Sequence, residues 1–150
     1  MTRAVLRTDG GSRGNPGPAG AGFVIEADGG IICRGGKFID SATNNIAEYE
    51  AFIWGLENVA ALGYTEVQVF ADSELLVKQI NGQYRVKNEG LKPLFVKALA
   101  QLRRFSAFDV THVRREQNQD ADTMANEAMD SRATVGDAPV SPDPSMDTLF

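Results

Sequence analysis

The chain has 150 residues, 43% hydrophobic and 23% charged, the profile of one soluble globular domain large enough to bury its own core. Its one cysteine, Cys33, and one histidine, His112, exclude an intrachain disulfide, a cysteine-based zinc cluster and a multi-histidine metal site, and suit a reducing, cytoplasmic compartment. The net charge of −5 argues weakly against nucleic acid as a partner, and no apolar run is long enough to cross a membrane or to serve as a signal-peptide core.

Ala4–Thr8 reads as a strand that runs into the turn-rich segment Asp9–Pro18. Ala21–Glu26 and Ile31–Phe38 are two further strands joined by the hairpin signal Asp28-Gly29-Gly30, so an antiparallel meander is expected. The polar cluster Ser41–Asn45 suits the start of a helix. That helix spans Ile46–Leu62, with Ala47, Ala51, Trp54, Val59 and Leu62 at helical spacing and Gly63 as its stop. Glu66–Ala71 alternates as a strand, and Asp72-Ser73 opens a short helix broken at Asn81-Gly82.

A helix over Leu91–Phe105 follows, with Pro93 in its first turn. Between Lys78 and Arg104 lie seven basic residues against the single acid Glu89, a lobe of about +6 on an otherwise acidic body. Phe108–Val113 is the last strand, and Asn118–Asp130 the last helix, with Ala121, Met124, Ala125 and Ala128 facing inward. Prolines and aspartates then mark residues 131–150 as a disordered tail or linker. The order predicts an α/β domain over residues 1–130: a mixed five-stranded sheet, three antiparallel strands then two parallel, flanked by helices.

Four acids fall at junctions of these elements. Asp9 and Asp72 close strands, while Glu48 and Asp122 sit in the opening turns of helices. Adjacent parallel strands would place Asp9 and Asp72 about 5 Å apart. Each acid alone is explained by helix capping or the helix dipole. Four together repel, and hard divalent cations such as Mg²⁺, Mn²⁺ or Ca²⁺ relieve that repulsion. Two such ions about 3.5–4 Å apart activate water and stabilise a leaving oxygen in phosphodiester hydrolysis.

Residues 3–130 resemble type 1 ribonuclease H. The resemblance is carried by Thr8-Asp9-Gly10-Gly11-Ser12 through Pro18, Thr43-Asn44-Asn45-Ile46-Ala47-Glu48, Ala71-Asp72-Ser73 and Asn118-Gln119-Asp120-Ala121-Asp122, in that order. It implies a ribonuclease H-like fold and cleavage of the RNA strand of RNA–DNA hybrids with two Mg²⁺ ions (Mn²⁺ as a substitute), leaving 3′-hydroxyl and 5′-phosphate ends. It implies metal ligation by Asp9, Glu48, Asp72 and Asp122, the last chosen over Asp120 because it lies four residues after Asn118. It also implies that Gly10, Gly11, Asn15, Asn44 and Asn45 face the hybrid, where the asparagines read RNA 2′-hydroxyls.

The sequence departs from many relatives in two places. Their loop histidine has no counterpart, because His112 falls inside the last strand; Arg115, seven residues before Asp122, is expected to bind the scissile phosphate or aid product release. The segment Ile80–Leu94 is too short for the basic handle of some relatives, so a short form is expected, with the Lys78–Arg104 lobe on DNA-strand phosphates. The expected partner is an RNA–DNA hybrid, the state a monomer, and the tail a link to a further C-terminal domain or a free end. A non-catalytic module of the same fold binding hybrid or double-stranded RNA is the alternative.

Overall fold

Strand β1 (Arg3–Ser12) buries Ala4, Leu6 and Thr8 and leaves Val5 and Arg7 less covered, the two-residue period of a half-buried strand. The structure, a computed structural model, describes residues 2–142. At Asp28 and Gly29 the backbone takes φ of 54° and 82°, the two-residue turn whose twist suits a hairpin. That turn joins β2 (Gly17–Ala27) to β3 (Gly30–Ala42), and β1, β2 and β3 form the expected meander.

Helix α1 (Asn44–Ala61) begins where Thr43 Oγ1 accepts from the Ile46 amide at 3.2 Å, and it ends just before Gly63, whose φ is 94°. It carries the chain back to β4 (Glu66–Ala71), parallel to β1. Helix α2 (Glu74–Ile80) is capped by Ser73, residues 81–91 cross to α3 (Lys92–Leu102) without a helix, and β5 (Ala107–His112) pairs parallel to β4. A 3₁₀ turn, Arg115–Gln117, leads into α4 (Gln119–Ser131).

Among the described residues the sheet has six strands, not five, in the order β5-β4-β1-β2-β3-β6. The added strand, β6 (Val135–Gly136), pairs antiparallel with the edge of β3. Two residues carry no readable alternation, which is why composition alone assigned them to the tail. Beyond β6 the chain crosses to α1, where the Val140 amide and carbonyl meet Asn58 and Trp54. Residues 143–150 of the expected tail lie outside the described residues.

The two faces of the sheet are covered differently. Phe23 of β2 meets Trp54 of α1 edge to face at 4.8 Å, and Leu94, Ala98 and Leu102 of α3 join the same core. The neighbouring Gly22 faces α4 on the other side, where a Cβ would lie 2.4 Å from the Ala121 carbonyl oxygen. Only glycine lets α4 sit so close to the sheet. The Lys37 ammonium and Glu50 carboxylate, 2.7 Å apart and both buried, tie β3 to α1. No described helix is long and apolar enough to cross a membrane.

Candidate metal centre and nucleic-acid interface

The parallel register sets the first two acids side by side. Thr8 pairs with Ala71 as the last rung of the parallel ladder, so Asp72, just past β4, lies beside Asp9, which does not close β1 as expected: the strand runs on to Ser12, held by its antiparallel pairing with β2. Glu48 enters from the first turns of α1, and Gly10 allows it. A Cβ on Gly10 would lie 2.3 Å from the Ala47 carbonyl carbon and 2.5 Å from the Glu48 nitrogen, so the bare backbone lets α1 bring Glu48 against β1. Gly11 is under no such pressure, its nearest neighbour being Asn44 Oδ1 at 3.8 Å.

Asp9, Glu48 and Asp72 each bring a carboxylate oxygen within 4.8 Å of the others. Asp9 and Glu48 are buried, at 5% and 8% exposure. Burial, and then the neighbouring carboxylates of Asp72 and Asp122, push the Asp9 pKa up to about 9. Glu48 is held well above the ordinary carboxylate range by burial and by Asp9 and Asp72, with the Gly10 amide and the Arg115 charge pulling the other way. Glu48 Oε2 and Asp72 Oδ1 are buried without a hydrogen-bond partner. Crowded carboxylates with orphaned oxygens and an all-oxygen donor set fit a hard divalent cation.

Asp122 reaches the group from α4. Its carboxyl stands near enough to raise the Asp9 pKa, outside the close group of Asp9, Glu48 and Asp72, and its Oδ2 accepts from Asn126 Nδ2 at 3.2 Å. Asp120 is exposed on the same helical turn. All four predicted acids therefore converge at one end of the sheet. Arg115 is exposed in the 3₁₀ turn, close enough for its charge to act on Glu48, and it lines a cleft of about 370 Å³ with Gln119, Asp122 and Thr123. His112 closes β5, exposed, on the side of Glu74.

The predicted asparagines cluster beside the acids. Asn44 Oδ1 accepts from the Ser12 amide at 2.8 Å, and Asn15 Oδ1 accepts from the Asn44 amide at 3.0 Å. With Asn45 they line a cleft of about 310 Å³. Thr43, not either asparagine, caps α1, so the amide side chains are spent on the loop and the cleft. Asn88 and Leu91 complete that cleft and were not legible beforehand, because a long connection brings them in. Asn126, one turn after Asp122 on α4, is a further partner that no motif singles out.

The reverse transcriptase-like family model matches residues 7–128. Ribonuclease HI of Halobacterium salinarum is 45% identical over 123 residues, covering 81% of this chain and 62% of its own length. The bifunctional protein Rv2228c of Mycobacterium tuberculosis is 42% identical over 142 residues, so this chain spans 93% of itself but only 39% of that relative. The solved N-terminal RNase H domain of Rv2228c superposes with a TM-score of 0.84 at 41% identity, over 87% of this chain and 96% of that one. LC11-RNase H1, solved in complex with an RNA/DNA hybrid, gives 0.81 at 41% identity, over 86% and 98%. These matches run through every element that delivers a carboxylate, and the chain belongs to the reverse transcriptase-like family of ribonuclease H domains.

Proposed function

We propose that the chain is a type 1 ribonuclease H of the short form, an endonuclease that hydrolyses the RNA strand of RNA–DNA hybrids and leaves 3′-hydroxyl and 5′-phosphate ends. The observation that carries this reading is the carboxylate group itself. Asp9, Glu48 and Asp72 crowd within 4.8 Å, with buried oxygens left unpartnered and Asp122 at their flank. A fold stabilised by its own contacts has no use for such repulsion. The hybrid bound to LC11-RNase H1 supports the substrate assignment.

Asp9, Glu48 and Asp72 would hold one Mg²⁺, and Asp9 with Asp122 a second, with Mn²⁺ able to substitute. When bound, the pair supplies Lewis acidity for the attacking water and for the departing 3′-oxygen. Glu48, its proton affinity raised by burial, orients the attacking water. Arg115 offers its fork of donors to the phosphate, beside Asp122. Asn15, Asn44 and Asn45, with the Gly10-Gly11 backbone, read the minor groove and its 2′-hydroxyls. The basic residues between Lys78 and Arg104 neutralise DNA-strand phosphates. The unit works as a monomer in the cytoplasm. The nuclease domain, expected to close at residue 130, takes in β6 and the strap through Val140 as well, and the chain beyond leads to a tail or a following domain.

A labelled RNA–DNA hybrid tests this. With Mg²⁺ the RNA strand is cut to 5′-phosphate products, while duplex DNA and duplex RNA stay whole. Arg115→Ala lowers the rate constant about ten-fold or more while the metal requirement stands. Binding of the hybrid without cutting would replace the enzyme with a binding module.

A further inference from the structure

Asn118 stands at the start of α4, where an asparagine side chain ordinarily accepts from the helix's own amides. Here it makes no such cap. Its Nδ2 turns to β1 and donates to the Thr8 carbonyl at 2.8 Å, the residue immediately before Asp9. The exchange leaves Asn118 Oδ1 and Thr8 Oγ1 buried without partners, although both residues have no exposed surface. Helix stability alone does not account for so costly an arrangement. One turn later the Asp122 amide donates to the Asn118 carbonyl at 3.1 Å. A second tie runs alongside it. Arg7 Nη1 donates to the Gln117 carbonyl at 3.2 Å, and Arg7 is itself fixed by Glu26 at 3.3 Å and by the Phe70 ring at 4.8 Å.

We infer that Asn118 is a positioning residue that sets the spacing of Asp122 from Asp9, and so governs the cation site those two acids share, leaving the site of Asp9, Glu48 and Asp72 to the strands and α1. The inference rests on the proposed metal-dependent reading. Arg7 assists from the other side of the same joint.

Calorimetric titration of the folded protein with Mn²⁺ tests it, together with melting curves. Wild type binds two ions. Asn118→Ala keeps one site and weakens the other about 10–100-fold, the usual cost of removing a group that orients a ligand. Its Mg²⁺ midpoint for hybrid cleavage rises, while the KM for hybrid stays within about two-fold. Arg7→Met shows a smaller loss in the same site and serves if Asn118→Ala fails to fold. Asn58→Ala, which loosens the chain far from the acids, lowers the melting temperature without touching either site. Two unchanged sites in Asn118→Ala and Arg7→Met would overturn the inference, as would equal weakening in Asn58→Ala. A wild type that binds no Mn²⁺ would instead overturn the proposed function.

Discussion

Asp9 illustrates how a residue gives up stability for a site. Its unfolded carboxyl loses its proton near the ordinary value of 3.8, whereas the folded group, without cations, holds it to about 9. The unfolded state therefore binds fewer protons between those values, and the folded state loses stability as pH rises from about 4 to about 9. Asp9→Asn should abolish most of that slope. In chelator at pH 8 we expect this variant to melt about 5–10 °C above wild type, on the order of 2 kcal/mol, and added Mg²⁺ should narrow or reverse the gap. Equal melting of both proteins in chelator would mean that the carboxylates do not strain the fold. The quartet was legible in sequence because its acids fall near strand ends and helix starts, which meet at one edge of an α/β sheet, even though β1 runs on past Asp9 to Ser12. The Asn118 joint was not legible, because its partner is a backbone carbonyl that no residue type announces.

Among elements, the meander, α1, β4 and α4 followed from alternation, helical spacing and turn chemistry, and their ends differ from expectation by a few residues at most. The segment after α4 did not follow. It seals the β3 edge with β6, and there the Asp137 amide donates to the Arg34 carbonyl while Asp137 Oδ1 accepts from the Arg34 amide. Farther on, Trp54 Nε1 donates to the Val140 carbonyl at 2.7 Å, and Asn58 Oδ1 accepts from the Val140 amide at 2.9 Å. Prolines and small polar residues carry no sign of such a clamp, because the clamp holds backbone. Asn58 is fully buried, so Asn58→Ala strands these groups and should cost about 1–3 kcal/mol. The fluorescence of Trp54, the chain's one tryptophan, should shift to the red as its indole meets water. A melting temperature and spectrum equal to wild type would show that this strap contributes nothing.

At the scale of the molecule, the parts divide their tasks by face. One face of the sheet carries α1 and α3 over the large apolar core, and the other takes α4 against glycine. The acids gather at one end, where β1, β4, α1 and α4 meet. The asparagine cleft opens beside them, formed by residues from the β1–β2 loop, the start of α1 and the α2–α3 connection. The net charge of −5 alone points away from nucleic acid, but it averages an acidic body with a basic lobe between Lys78 and Arg104, and the proposed substrate assignment rests on that lobe and the site rather than on the mean. If the clustered carboxylates make this chain a metal-dependent nuclease for RNA in hybrids, cleavage must need both the cation and each acid. One labelled RNA–DNA hybrid, incubated with wild type and with Asp72→Asn, each in Mg²⁺, in Mn²⁺ and in chelator, decides this. We expect cuts confined to the RNA strand by wild type with either metal, none in chelator, and a loss of about 10³-fold or more in the variant. Cutting that survives chelator, or an Asp72→Asn protein as active as wild type, would contradict the metal-dependent reading.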